Sequence, residues 1–357
     1  MDTGGSNHGI EERIRAWDGA GVLCRYDRET DTWIFISLHR DTLGPFTGGT
    51  RMRTYPSLGA ALEDGQRLAA GMTHKWAALG MPYGGGKAVL AVPEPLAGAA
   101  REGLLRRYGR LIASLGGRFR TGEDMGTTPE DMCVIAAETE YVHGFDRETG
   151  EKLDPSPYTA RGVWSGIRAG CAEVFDGNGL DGRTVLVEGL GHVGWSLAEM
   201  LRESGAGLIV ADIDDARCER AARQLGATVV APAKVPSTAC DVYAPCAIGA
   251  TVNRDTIPRL GCRLVAGSAN NQLGEAADAG RLVERGIAYA PDYVINGGGA
   301  MSFGLMSKGE KDPEVLRRQV DTIGDMVGEL LREAAGRGES PVDAADRRVQ
   351  RALAAAV

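Results

Sequence analysis

A strand, a glycine-rich turn and a helix follow one another between Thr184 and Leu201, and this run constrains the fold more than any other part of the chain. Thr184-Val185-Leu186-Val187-Glu188 is a short apolar, β-branched run of the kind buried inside a parallel sheet. Gly189-Leu190-Gly191-His192-Val193-Gly194 comes directly after it, and then a helical pattern through Ser196, Leu197, Met200 and Leu201. A second apolar run, Gly207-Leu208-Ile209-Val210-Ala211, ends at Asp212, 23 positions beyond Gly189. G-x-G-x-x-G in this setting is a dinucleotide-binding fingerprint, whereas alone it would be only a glycine-rich turn.

Each glycine of the fingerprint has a physical task. Gly189 permits the tight turn, Gly191 lets the backbone approach a pyrophosphate, and Gly194 lets helix and strand pack closely. The helix N-terminus adds N–H groups and the positive end of its dipole. His192 and Val193 line the same turn, and His192 reads as a residue of the crevice rather than a catalyst. Asp212 is placed to accept hydrogen bonds from the adenosine ribose hydroxyls and to repel a 2′-phosphate, which favours NAD over NADP. Arg217 and Arg220, a few residues on, weigh against that preference.

Three later runs continue the βαβ pattern, at residues 241–246, 263–267 and 287–291. Two of them lead into small and amide residues, Ser268-Ala269-Asn270-Asn271 and Asn296-Gly297-Gly298-Gly299. Ligands of doubly wound sheets bind beyond the carboxyl ends of the strands, where these asparagines fall. Asn270 and Asn271 are equally compatible with a helix cap or an Asx turn, and Asn296 with a turn before glycines.

The N-terminal half alternates strands and helices. A strand is expected at 32–38, a glycine-rich turn at 43–51, a helix at 58–80, a strand at 87–92 and a helix at about 96–115. A polar turn at 121–130, a helix at about 129–142 and a linker at 148–157 follow. Thr73-His74-Lys75 falls near a helix end, and Gly84-Gly85-Gly86 reads as a break that delivers Lys87 to the start of a strand. Two lysines around a glycine turn suit an anionic substrate, and a desolvated lysine can shuttle protons near neutral pH. Solvated surface lysines are the plainer reading.

Composition narrows the partners. The 357 residues are 43% hydrophobic with a net charge of −8 and dispersed basic residues, which speaks for two globular domains and against nucleic acid. No apolar run suits a membrane span, and Met1-Asp2-Thr3-Gly4-Gly5 does not resemble a signal peptide, so a cytoplasmic location is expected. Seven scattered cysteines without a C-x-x-C pair, and five histidines without ligand spacing, suggest neither a disulfide framework nor a metal site.

Ordered motifs along the chain then identify a resemblance. Leu43-Gly44-Pro45 with Gly48-Gly49-Thr50-Arg51, Gly71-Met72-Thr73-His74-Lys75, Gly84-Gly85-Gly86-Lys87 and Thr121-Gly122-Glu123-Asp124-Met125-Gly126-Thr127 lie in the first half. Tyr243-Ala244-Pro245-Cys246-Ala247, Gly267-Ser268-Ala269-Asn270-Asn271-Gln272-Leu273 and Tyr289-Ala290-Pro291-Asp292-Tyr293-Val294-Ile295-Asn296 lie in the second. From about residue 20 to 350 the chain resembles the glutamate, leucine, phenylalanine and valine dehydrogenases, in particular the leucine/valine/phenylalanine branch.

The resemblance implies a two-domain α/β fold with the active site in the cleft. An N-terminal substrate and oligomerisation domain would span 1–147, and a Rossmann-like, doubly wound NAD-binding domain 148–332. The C-terminal helix within 333–357 would return to the first. Lys75 matches the lysine that binds the substrate carboxylate, with Gly48 and Gly49 against the same group. Lys87 matches the catalytic lysine that activates water, and Asp124 the carboxylate that moves protons at the substrate nitrogen. Asn270 and Asn271 match a pair near substrate and nicotinamide, with Asn296 on the cofactor and Val294 on the substrate.

Substrate choice follows from two positions. Glutamate enzymes carry a side-chain-binding lysine where this chain has Thr47, so an apolar side chain is implied. Gly122 stands where leucine and valine enzymes usually have alanine and phenylalanine enzymes have glycine, and the missing methyl enlarges the pocket. The function implied is NAD-dependent, reversible oxidative deamination of an apolar L-amino acid to its 2-oxo acid and ammonia. Phenylalanine is favoured and leucine or valine close, in a homo-oligomer. Two other classes fit the same residues: a biosynthetic paralogue joining a 2-oxo acid to an amine or imine, and a non-catalytic nucleotide-binding protein. Intact Lys75, Lys87 and Asp124 weigh against the last.

Overall fold

The computed structural model describes residues 15–145, 153–175 and 179–356; positions 148–152 of the expected linker lie outside them. Residues up to Leu153, with those from Ala352 on, form one compact unit, and Asp154–Arg351 form the second.

The first unit is built from β1 (Gly21–Asp27), β2 (Thr32–Arg40), β3 (Phe46–Arg53), α1 (Leu58–Ala78), β4 (Gly84–Ala91), α2 (Gly98–Ser114), β5 (Phe119–Glu123) and α3 (Pro129–Ala136). Its sheet runs β1-β2-β4-β3-β5. β1 and β4 are antiparallel to β2, while β3 is parallel to β4 and β5. The period of two along β2 separates the faces: Ile34 and Ile36 join the core with Leu104 and Tyr108 of α2, and Phe35 packs with Ala61 of α1 and Val89. Local chemistry starts the helices. Ser57 accepts from the Ala60 N–H at 3.1 Å to begin α1, and a Thr128/Asp131 capping box with Pro129 begins α3.

Three segments expected as turns are strands. Gly48 and Gly49 lie inside β3, Gly84 to Gly86 inside β4, and Thr121 to Glu123 inside β5. Glycine is a poor strand former, so its local signal points to a turn. Packing overrides it: a Cβ on Gly85 would sit 2.0 Å from Thr73 Oγ1 and 2.4 Å from the Ala69 carbonyl, so α1 lies against a strip of β4 that has no side chain. The helix expected to reach residue 142 stops at Ala136, and Val142 instead bridges to Thr121 beside β5.

The second unit holds β6 (Thr184–Glu188), β7 (Gly207–Ala211), β8 (Thr228–Val229), β9 (Val242–Pro245), β10 (Leu264–Val265) and β11 (Ala288–Tyr289), all parallel in the order β11-β10-β9-β6-β7-β8. Its helices are α4 (Ser156–Val174), α5 (His192–Glu203), α6 (Asp215–Leu225), α7 (Asp278–Glu284), α8 (Asp292–Ile295), α9 (Gly298–Met306), α10 (Pro313–Arg337) and α11 (Pro341–Ala354), the last up to Arg351. Parallel strands need covered faces, which is why β6 and β9 read as unbroken apolar runs. The strand order reverses about β6, which puts the turn after β6 at the switch point of the sheet. α11 is tied to α10 by Arg347, 3.1 Å from Glu333, and to α8 by the Tyr293 hydroxyl, which donates to Asp346 at 3.0 Å. No described helix is long and apolar enough to cross a membrane.

Candidate active site

Alternation along β4 sends Gly85, Lys87 and Val89 to the face covered by α1. Lys87 is 6% exposed, and its Nζ lies 2.9 Å from Asp124 Oδ2, just past the end of β5. Burial pushes the Lys87 ammonium below the ordinary lysine value, against the opposing pull of Asp124. For Asp124 burial acts upward, but Lys87 and Arg51 outweigh it and hold the carboxyl down to about 2. From neutral to alkaline pH, Asp124 is therefore a carboxylate and Lys87 is the member of the pair that changes charge.

Asp124 is fixed from both sides. Its backbone N–H donates to Thr127 Oγ1 at 3.0 Å, and that hydroxyl donates to the Thr50 carbonyl at 2.8 Å. Arg101 donates to the Gly126 carbonyl at 2.8 Å and pairs with Asp131 at 2.6 Å, which secures the loop. Arg51 Nε donates to Asp124 Oδ2 at 2.8 Å, the same oxygen that meets Lys87, and Arg51 also pairs with Asp64 of α1 at 3.0 Å. Asp64 in turn accepts from the Tyr55 hydroxyl at 2.8 Å. Arg51, Asp64 and Tyr55 have no role in the sequence reading. With 43–51 read as a turn, the sequence carries no signal for them; only in the strand β3 does Arg51 come two residues after Gly49 on the same face.

The remaining first-unit residues gather around this pair. Gly49 is in register with Gly122, and a Cβ on Gly49 would lie 2.9 Å from Asp124 Cβ and 2.6 Å from the Glu123 carbonyl. Only a glycine lets Asp124 come so close to β3. The registered pairing of β3 with β4 skips Gly48-Gly49 and resumes at Thr50. Lys75 is half-buried in the last turn of α1, and its neighbour Trp76 donates Nε1–H to the Thr47 carbonyl at 3.0 Å, joining that turn to β3. Gly122 differs from Gly49: a Cβ there would meet only His143, at 3.8 Å.

In the second unit the glycine turn has the shape the fingerprint requires. Gly189 adopts φ +100°, and a Cβ on Gly194 would sit 1.9 Å from the Gly189 carbonyl, so α5 packs directly on the turn. Gly191 caps α5 with His192 and Val193 as its first residues, and a Cβ on Gly191 would meet nothing within 4 Å. Asp212 Oδ2 accepts from the Leu190 N–H at 2.6 Å and Oδ1 from the Asp214 N–H at 2.9 Å, so the carboxylate braces the turn. Ile213 after β7 and Ile248 after β9 are 94% and 72% exposed, on strands that flank β6. The sequence reading had passed over both.

Asn296 Nδ2–H donates to Asn270 Oδ1 at 2.8 Å and to the Ser268 carbonyl at 3.2 Å, which orients the exposed Asn270 amide with its NH₂ outward from that bond. Asn271 is exposed in the left-handed region at φ +52°. Val294, in α8, has no exposed surface.

Comparison with known proteins agrees with both halves of the chain. Residues 29–141 match the family model described as Glu/Leu/Phe/Val dehydrogenase, dimerisation domain, and residues 209–347 the model Glutamate/Leucine/Phenylalanine/Valine dehydrogenase. The chain is 41% identical over 345 residues to leucine dehydrogenase from Bacillus cereus, covering 97% of this chain and 93% of that protein. It is 39% identical over 334 residues to phenylalanine dehydrogenase from Thermoactinomyces intermedius, covering 93% and 90%. The crystal structure of L-tryptophan dehydrogenase from Nostoc punctiforme matches with a TM-score of 0.85 and 38% identity, over 97% of this chain and 99% of that one.

Proposed function

Because the chain belongs to the glutamate/leucine/phenylalanine/valine dehydrogenase family, we propose that it catalyses the NAD-dependent, reversible oxidative deamination of an apolar L-amino acid to its 2-oxo acid and ammonia. The observation that carries this reading is the pair of a buried Lys87 and a mostly shielded Asp124, 2.9 Å apart. A lysine depressed by burial is a base at alkaline pH, and a carboxylate beside it is a second proton carrier.

Lys75, half-buried in the last turn of α1, is suited to hold the substrate carboxylate, with Gly48 and Gly49 of β3 against the same group. When bound, the nicotinamide supplies the oxidising equivalent by accepting hydride from the substrate Cα. Lys87 in its neutral form then takes a proton from the water that adds to the imine carbon. The Asp124 carboxylate accepts a proton from the substrate ammonium before the hydride leaves and returns it to the nitrogen of the water adduct, so that the nitrogen departs as ammonia. In the reverse direction the same two groups return these protons.

The glycine turn fits a dinucleotide. The open space at Gly191 and the unfilled N-terminus of α5 suit a pyrophosphate, and Ile213 and Ile248 suit an adenine ring. Asp212 favours NAD by placing a carboxylate where a 2′-phosphate would go. Asp212→Ala should therefore weaken NAD more than NADP, by roughly tenfold in the ratio of their Kd values, an effect of the size of a lost charged hydrogen bond. An unchanged ratio in a fluorescence titration removes Asp212 from nucleotide choice.

Thr47, buried and donating to the Pro45 carbonyl, brings no cation to the side-chain pocket, which supports an apolar substrate. Gly122 supports a phenylalanine-like one, with leucine and valine close behind. Since a methyl fits at Gly122 without a clash, Gly122→Ala should fold normally and lower the phenylalanine-to-leucine ratio of kcat/KM by roughly tenfold, as one methyl in an apolar pocket does. A ratio that stays put places the side chain elsewhere. The match to a dimerisation domain supports a homo-oligomer, and the seven free cysteines suit a reducing cytoplasm.

The deciding experiment is oxidation of reduced nucleotide with a panel of 2-oxo acids, with ammonium or with primary amines. Consumption that requires ammonium supports the dehydrogenase; consumption only with an amine shifts the function to coupling of a 2-oxo acid with an amine.

A further inference from the structure

Asp124 Oδ2 meets two cations, Lys87 Nζ at 2.9 Å and Arg51 Nε at 2.8 Å, whereas no partner of Oδ1 is found among the described residues. Arg51 is itself held by Asp64 at 3.0 Å, and Asp64 by the Tyr55 hydroxyl at 2.8 Å. The chain thus runs from α1 through β3 to the proton-handling pair, and it is mostly shielded: the Arg51 and Asp64 side chains are 14% and 16% exposed. A surface pair would be screened, but charges in this setting act on one another strongly.

We propose that Arg51 is a positioning residue of the reaction, holding Asp124 Oδ2 against Lys87 so that Oδ1 is the oxygen left for the substrate nitrogen, with Asp64 and Tyr55 as its anchor. The proposal rests on the reading of Lys87 and Asp124 as the proton-handling pair. With Arg51 present, Asp124 keeps a cationic partner even when Lys87 is neutral, so the carboxylate does not need to take the proton that Lys87 gives up. Electrostatics also assign opposite effects to the two outer members. The charged groups acting on Lys87 are Asp124 from the loop after β5, Arg51 from β3 and Asp64 from α1. Arg51 disfavours the ammonium, and Asp64 favours it.

The test is the pH dependence of kcat for amino acid oxidation, whose acid limb reports loss of the Lys87 proton in the substrate complex. Arg51→Gln should move that limb to higher pH by on the order of one unit, the size expected for losing a partly buried charge. kcat should fall while the KM for the amino acid changes little. Arg51→Lys should bring the limb most of the way back. The nearly isosteric Asp64→Asn should move the limb the other way, to lower pH. Limbs that stay in place while kcat merely falls would mean that Arg51 is only scaffolding, and the proposal is overturned. Should Arg51→Gln not fold, Asp64→Asn decides alone: an unmoved limb overturns it. Failure of the underlying reading shows itself separately, as turnover that survives Lys87→Ala.

Discussion

Lys87→Ala is expected to lower kcat by about three orders of magnitude, the upper part of the range for losing a positioned general base, while nucleotide binding stays within about twofold. Two features of the site predict so large a loss with so local a cause. Lys87 is enclosed between β4 and α1, so water has little access to replace it. The dinucleotide fingerprint lies in the other unit, on β6 and α5, and none of its contacts uses Lys87. Steady-state kinetics with a parallel fluorescence titration of NADH check both parts. Turnover within tenfold of the parent protein would remove Lys87 from the chemistry.

The second large effect belongs to Asp124→Asn. The amide keeps the shape but removes the anion that Lys87 and Arg51 share, leaving Asp64, on the far side of Arg51, to offset the two cations. Breaking a buried pair in this way costs roughly 3–5 kcal/mol, less here because Asp124 is partly exposed, and kcat should fall by about 10²-fold or more. The stability loss has a defined pH dependence. Without Asp124, the folded-state value of Lys87 sits further below its unfolded one, so the deficit is largest where Lys87 is protonated and shrinks as pH rises through the folded value. The parent protein behaves oppositely at acid pH. Asp124, depressed to about 2, contributes stability that is full above its unfolded value near 3.8 and lost as pH falls between the two. Thermal melts of both proteins across pH test this directly, and a deficit that grows with pH would contradict the charge argument.

How much was legible in the sequence differs between the units for a physical reason. β6 and β7 lie inside a parallel sheet, so burial itself writes Val, Ile and Leu into them, and the glycine turn between β6 and α5 announces its own context. In the first unit the strands that build the site are glycine-rich, because α1 and Asp124 must come closer than a Cβ allows. Gly49 and Gly85 therefore read locally as turn residues and are strand residues only through their neighbours. Individual positions are more legible than local structure: Lys87 and Asp124 stand in separate motifs, and their side chains meet at 2.9 Å. Arg51 stood in a recognised motif without a role, since nothing short of tertiary structure connects β3, Asp64 of α1 and Tyr55.

The most direct measurement is NADH formation by the purified protein with NAD and a panel of L-amino acids at alkaline pH, with Lys87→Ala alongside. Turnover on phenylalanine or leucine, absent with glutamate and lost in the variant, is the expected result. No turnover on any apolar amino acid by a protein that still binds NADH, or equal turnover by the variant, would contradict the assignment of this site.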